Sequence, residues 1–269
     1  MDNTTRTLKQ ALSVDGWIGD FDDNGVASVH VDVVFRQGGF GEDPTSAIRF
    51  KIALTRAEIV VRVPNQAPLR IVKRSVKRTA NAATGIRTES AKREGFLKGS
   101  VKAALAKTPF VSADGEASVS RTNSSDAQLQ EAISRHFEQH FTTEDGHIAW
   151  EVEANPEFAP HLAGSPWNAE NAPRLNVSKF SNRNAEGDPP SVIIEIRCCR
   201  EDIEIIDLEE KDPEAQNMWR TKKNKSVNLA AAEQVIKDEL FKAGFLEVPD
   251  LSEKQSRLLI ADTIIFEDK

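Results

Sequence analysis

Apolar and polar residues alternate strictly along several stretches of the first third of the chain. The alternation is clearest over residues 28–35, returns over residues 48–54 and is followed by an apolar run at residues 59–63. A period of two is typical of a strand with one buried and one solvent-facing side. Asn24-Gly25, ahead of the first strand, is a strong hairpin signal because both residues tolerate positive φ. This part of the chain therefore predicts an antiparallel β-meander.

The pattern changes after Pro68. Residues 69–83 and 97–105 carry apolar residues three or four positions apart among many basic ones, which indicates helices. A clearer amphipathic helix is predicted over residues 125–141. Its apolar stripe has strict i, i+4 spacing and consists of Leu129, Ile133, Phe137 and Phe141.

The second half returns to strands and then ends in helices. Strand-like patterns occupy residues 148–152, 192–199 and 203–208, with a short strand possible at 175–180 inside an otherwise irregular stretch. One helix is predicted over residues 226–243, with Gly244 as its natural stop. Another is predicted from Ser252, because Ser252 and Gln255 have capping-box spacing.

These patterns predict an α+β fold. We expect an antiparallel sheet or sandwich that is interrupted by a basic helical excursion and has two C-terminal helices packed on it. The predicted segments are an N-terminal β-meander (1–68), the basic excursion with the amphipathic helix (69–145), further strands completing the sheet (146–210) and a C-terminal helical segment (211–269).

Composition narrows the cellular setting. No run of about 18 apolar residues is present, and the polar start of the chain lacks the apolar core of a secretory signal, so we expect a cytoplasmic protein without a transmembrane segment. The two cysteines, Cys198 and Cys199, are adjacent in a predicted strand and point to opposite faces. They are therefore expected to be reduced thiols, with a vicinal-thiol redox or metal site as the alternative. No cofactor is expected.

Charge is distributed unevenly along the chain. The net charge is −7, yet residues 70–107 carry eleven Lys and Arg against two Glu, a local net charge of +9. Clustered cations are the electrostatic footprint of phosphate binding, unless they are solvated or pair with the acidic tract Glu201–Glu214. The predicted nucleic-acid- or anion-binding residues are Arg70, Lys73, Arg74, Lys77, Arg78, Arg87, Lys92, Arg93, Lys98 and Lys102.

Two weaker patterns suggest metal chemistry. His136 and His140 are spaced i, i+4, which on a helix lets both reach one metal, although they also fit as half-buried residues beside the apolar stripe. Asp188 and Glu195 resemble the carboxylate pair of PD-(D/E)xK nucleases, but Arg197 stands where that family has Lys, and it also fits an ion pair with Glu195.

The leading functional hypothesis is a non-enzymatic binding or assembly subunit of an intracellular complex. It would contact an anionic partner, either nucleic acid or an acidic protein surface, through residues 70–107. The alternatives are a metal-dependent hydrolase or nuclease and a purely structural partner subunit.

Overall fold

The fold is that of a computed structural model, which describes residues 3–43, 46–78, 84–88, 130–134, 136–180, 189–210 and 222–267. In these residues 49% of positions are in strands and 13% in helices. The expected α+β fold with two C-terminal helices is therefore wrong, since the described chain is mostly antiparallel β-sheet with a single α-helix.

The described strands and helix have the following bounds: β1 (Thr4–Thr7), β2 (Leu12–Ile18), β3 (Val26–Phe35), β4 (Gly38–Phe40), β5 (Ile48–Leu54), β6 (Arg56–Arg62), β7 (Leu69–Ile71), β8 (Thr84–Thr88), β9 (Gln130–Ser134), β10 (His136–Thr142), β11 (Ile148–Ala154), β12 (Leu175–Lys179), β13 (Ser191–Cys199), β14 (Ile203–Glu210), α1 (Lys222–Lys242) and β15 (Arg257–Phe266). Short 3₁₀ turns occupy Lys73–Ser75 and Arg200–Asp202.

These strands form four sheets. The first has six strands in the order β1-β15-β13-β6-β11-β10, and the second has four in the order β2-β3-β12-β7. A third sheet joins β14, β5 and β4, and β8 pairs with β9. Neighbouring strands of the first three sheets are antiparallel.

The chain divides into two compact units. The first combines residues 1–85 with residues 133–269, and the second is formed by residues 86–132. Of the second unit only residues 86–88 and 130–132 are described, and they belong to β8 and β9.

One hydrophobic core holds the larger unit together. Its buried apolar side chains come from strands of the first three sheets and from α1, which contributes Ala232, Ile236 and Leu240. Strand β2 packs tightly on β13, since a Cβ atom at Gly16 would lie 2.5 Å from Ile194 Cδ1.

The predicted hairpin near Asn24 is confirmed. Gly25 has φ +68°, and Asp22 Oδ1 accepts hydrogen bonds from the backbone N–H groups of Asn24 and Val26. The turn joins β2 to β3, which pair from Leu12↔Phe35 to Ile18↔Val29. The strands predicted near residues 28–35, 48–54, 59–63, 148–152, 175–180, 192–199 and 203–208 are also confirmed.

Three helix predictions are wrong where the chain is described. Residues 69–71 form β7 and residues 73–75 form a 3₁₀ turn, while residues 130–134 form β9 and residues 136–142 form β10. A spacing of four residues is also a multiple of the strand period, so Phe137 and Phe141 share a strand face as readily as a helix face. The helix expected from Ser252 is replaced by β15, a central strand buried on both sides, whose apolar run has no periodicity that distinguishes it from a helix. The apolar pattern of residues 97–105 lies outside the described residues.

The irregular connection between β11 and β12 crosses the ends of two sheets. Gly164 exchanges backbone hydrogen bonds with Phe35, and Leu162 N–H donates to Leu54 O at 2.7 Å. Trp167 Nε1 donates to Val31 O at 2.6 Å. These bonds hold the connection against β3 and β5, next to the site described below.

Candidate anion-binding cleft

A short segment after β7 carries four of the predicted cations. Its backbone is hydrogen-bonded to β12 and to Arg174, the residue that precedes β12. Val72 N–H donates to Asn176 O at 2.8 Å, and Lys77 N–H donates to Arg174 O at 2.9 Å. Ser75 fixes the turn between them, since its Oγ donates to Val72 O and accepts from Asn176 N–H at 2.6 Å. Val76 is buried, so the segment has one packed residue among exposed basic ones.

This segment lines an open cleft of about 810 Å³. Its described lining residues are Lys73, Arg74, Ser75, Val76, Lys77, Arg78, Pro173 and Asn176. We call this feature the cationic cleft. All four of its cations are exposed, and none of them forms an ion pair with any residue that the structure describes.

Several carboxylates of the acidic tract pair with other residues instead. Asp202 pairs with Arg56 at 3.1 Å, and Asp207 pairs with Lys51 at 2.9 Å. Within residues 201–210, the described part of the tract, no ion pair reaches the cationic cleft. These carboxylates therefore make no direct contact that neutralises the cations of the cleft.

The other predicted cations are placed differently. Arg70 lies on β7, where its Nε donates to Ser178 Oγ at 3.2 Å, and it does not line the cleft. Arg87 lies in β8. Lys92, Arg93, Lys98 and Lys102 lie outside the described residues.

A buried charged pair lies beside the cleft. Trp150 Nε1 donates to Lys77 O at 2.7 Å, which ties the cleft segment to β11. The Arg174 guanidinium lies 3.9 Å from the ring centre of Trp167 and 4.7 Å from that of Trp150, and it forms an ion pair with Glu138. The side chain of Arg174 is 0% exposed and that of Glu138 4%. Such cation–π contacts partly replace the hydration that the guanidinium loses.

Burial dominates the ionisation of this pair. Burial raises the pKa of Glu138, and this effect is larger than the lowering caused by Arg174. Burial also lowers the pKa of Arg174, although Glu138 acts to raise it. Glu138 Oε2 and the Nε and Nη1 atoms of Arg174 are buried without a hydrogen-bond partner in the described structure. The pair is therefore held together by one contact and by the tryptophan rings.

The two histidines proposed as metal ligands lie in strand β10. Strand residues four apart share a face but are about 13 Å apart, compared with about 6 Å on a helix. Burial, together with Arg78 and Arg174, lowers the pKa of His140. No group of three or more His, Cys, Asp or Glu side chains in the described chain is placed to hold a metal ion. A metal site at His136 and His140 stays a prediction.

The nuclease alternative depends partly on Asp188, which lies outside the described residues. Glu195 is buried and accepts hydrogen bonds from Arg62 Nε at 2.6 Å and from Arg197 Nε at 3.0 Å. Burial acts to raise the pKa of Glu195, but these bonds outweigh it and the pKa is lowered. The ion pair with Arg197 that the sequence analysis considered is thus present.

The two cysteines are free, as expected. Burial raises the pKa of both thiols, and Asp202 adds to the effect. Because the thiolate is the reactive form, neither cysteine has the environment of a nucleophile.

Sequence reasoning missed Asn176, Pro173 and Arg174 as parts of this region. They follow the irregular connection, and no local pattern indicates that strand pairing brings them beside Lys73–Arg78. The pairing of β12 with β7 is a long-range contact, which only the tertiary fold specifies.

Comparison with models of known protein families finds no match, and comparison with curated protein sequences finds none either. Along the described ranges, no helix is both long enough and apolar enough to cross a membrane.

Proposed function

We propose that the protein is a binding or assembly subunit of a cytoplasmic complex and that the cationic cleft contacts an anionic partner. One observation carries the proposal: four exposed cations line one cleft, and no described carboxylate pairs with them. Maintaining like charges close together without counter-charges is unfavourable for the isolated chain. A partner that supplies negative charge would relieve this repulsion.

A phosphate-bearing polymer suits the cleft better than a single small anion. The cleft is open and presents several separate cations, and Ser75 and Asn176 add polar groups between them. Lys and Arg side chains that neutralise phosphates release condensed counterions, which drives binding. Arg87, Lys92, Arg93, Lys98 and Lys102 stay predicted anion-binding residues from the sequence. Nucleic acid is therefore the proposed partner, and an acidic protein surface is the alternative.

The test is the affinity of the full-length chain for a fluorescent DNA duplex and for an RNA of the same length at several salt concentrations. If the four cleft cations each neutralise about one phosphate, the logarithm of the association constant falls with the logarithm of salt concentration, with a slope of about −3 to −4 for duplex DNA. The double reversal K73E/K77E removes two contacts and adds two negative charges. We expect at least a tenfold loss of affinity and a shallower slope.

A matched control separates local contacts from net charge. Lys9 and Lys254 are exposed lysines that do not line the cleft, so K9E/K254E makes the same change in net charge elsewhere. Equal losses of affinity for both double variants would show that binding follows net charge and not the cleft. No salt-dependent binding of either nucleic acid by the unmodified chain would reject nucleic acid as the partner.

A further inference from the structure

Strand β3 carries a serine and a histidine in direct contact. Ser28 Oγ lies 3.1 Å from His30 Nε2, and residues two apart in a strand share a face. His30 Nδ1 lies 2.7 Å from the carbonyl oxygen of Ala169. A carbonyl oxygen can only accept, so Nδ1 carries the proton, and in the neutral ring Nε2 accepts the hydrogen bond that the Ser28 hydroxyl donates. A histidine in this tautomer is set to take a proton from the serine.

The surroundings hold the imidazole and leave the hydroxyl accessible. The Trp17 ring stacks on the His30 ring, with centres 4.7 Å apart and planes 9° from parallel. A Cβ atom at Gly19 would lie 2.8 Å from Ser28 Oγ, so the glycine leaves space beside the hydroxyl. Ser28 and His30 are both half-buried and are therefore within reach of solvent. A nucleophile, a base and a group that orients the base are the parts that covalent catalysis requires.

Asn176 connects this pair to the cationic cleft. It lies directly opposite Ser28 in the pairing of β12 with β3, so their side chains share a face with Cβ atoms about 4.5–5.5 Å apart. Asn176 also lines the cleft, and its side-chain amide has no hydrogen bond to any described residue. An amide N–H beside a nucleophile can stabilise the oxyanion of an acyl-transfer reaction.

We propose that Ser28 and His30 are the nucleophile and general base of a site that hydrolyses carboxylic esters bearing a negative charge. The preference for anionic esters rests on the cleft of the proposed function, whereas the reactivity of the pair does not. Ser28 Oγ attacks the ester carbonyl carbon while its proton passes to His30 Nε2, and the carbonyl oxygen becomes an oxyanion near Asn176 Nδ2. The intermediate expels the alcohol, which takes the proton from His30. Water then cleaves the acyl-serine by the same route and releases the carboxylic acid.

The first test is covalent labelling of the full-length protein with a fluorophosphonate probe, followed by peptide mass spectrometry. We expect an adduct on Ser28, no adduct at position 28 in S28A, and labelling about a hundredfold slower in H30Q, which loses the base. Ser13 is a half-buried strand serine without a histidine contact, and S13A is expected to label at the rate of the unmodified chain. Failure to label Ser28, or equal labelling rates in H30Q, would overturn the proposal.

If H30Q fails to fold, slower labelling would not report loss of the base, so a second measurement uses the unmodified chain. Labelling of Ser28 should stop when the unmodified chain is unfolded in urea, because the contact between Ser28 and His30 exists only in the folded chain. Equal labelling of the folded and the unfolded chain would count against a base at His30.

A second assay separates the pair from the cleft. With nitrophenyl acetate and a nitrophenyl ester that carries a free carboxylate, K73E/K77E should slow hydrolysis of the charged ester more than hydrolysis of the neutral ester. Nucleic-acid binding without Ser28 labelling would reject the catalytic pair alone. Ser28 labelling without nucleic-acid binding would reject the proposed function alone, and equal rates for both esters would reject the anionic preference.

Discussion

Arg174 and Glu138 show how a single ion pair is held in an almost water-free environment. Both side chains are at least nine-tenths buried, and Trp150 and Trp167 contact the guanidinium. Transfer of two charges out of water is unfavourable, and their attraction compensates for it only as long as both are present. Removing one partner leaves the other charge buried and uncompensated.

This pair gives a residue-scale prediction. Glu138→Gln preserves the shape of the side chain but leaves the buried Arg174 charge unpaired, so we expect a loss of about 3–5 kcal/mol in the free energy of unfolding, measured by urea denaturation. Asp207→Asn is the matched control, because Asp207 pairs with Lys51 where both side chains are more than half exposed. Exposed pairs contribute at most about 1 kcal/mol. Similar losses in the two variants would contradict the description of Glu138 and Arg174 as a desolvated pair.

At the scale of elements, the strand predictions that rested on strict alternation of apolar and polar residues, those of β3, β5 and β11, were correct. Strand β3 alternates buried and half-buried residues along its whole length, so its period of two is visible in the sequence. Strand β15 lies between β1 and β13 and is buried on both sides, and β10 places His136 and His140 on the same face as Glu138. Strand β15 shows no alternation of apolar and polar residues, and β10 alternates with polar residues on its more buried face. Apolar spacing alone therefore predicted helices at both places.

Only part of the cationic cleft was predictable from the sequence, because long-range contacts bring some of its residues together. A run of basic residues is visible in the sequence, so Lys73, Arg74, Lys77 and Arg78 were found. The position of Asn176 opposite Ser28 depends on the pairing of β12 with β3, and the contact of His30 with the carbonyl oxygen of Ala169 depends on the long irregular connection. Contacts between residues far apart in the chain leave no local signal.

Two turn glycines give an element-scale prediction. Gly41, after β4, and Gly146, between β10 and β11, have φ of +72° and +80°, so Ala at either position adopts a backbone conformation that costs about 1–2 kcal/mol. A Cβ at Gly41 would lie 2.0 Å from Ile48 O, whereas nothing lies within 4 Å of one at Gly146. We expect Gly41→Ala to lower the free energy of unfolding by about 1–3 kcal/mol more than Gly146→Ala. Denaturation midpoints of the two variants measure the difference, and equal values would show that β4 and β5 separate easily.

Over the whole molecule, charge is segregated rather than balanced. The chain has a net charge of −7, and several carboxylates of the described acidic tract pair with cations such as Arg56 and Lys51. The cations of the cationic cleft are left without such partners among the described residues. Unpaired surface cations are expected where a protein binds an external anion. Cations that only stabilise the fold are expected to pair with the protein's own carboxylates, so the segregation favours a binding subunit over a purely structural one.

Thermal stability tests that distinction. The K73E/K77E variant should change the free energy of unfolding by no more than about 0.5 kcal/mol, because the two lysines make no described ion pair and lie beside two other cations. The K51E/R56E variant makes the same change in charge at cations that pair with Asp207 and Asp202, and the Asp202 side chain is only 9% exposed. We therefore expect K51E/R56E to lower the free energy of unfolding by about 2 kcal/mol or more, with a clear fall in Tm. Calorimetry of both variants without any ligand gives the comparison. A large loss of stability in K73E/K77E would mean that the cleft cations support the fold, and the structural role would then replace the binding role.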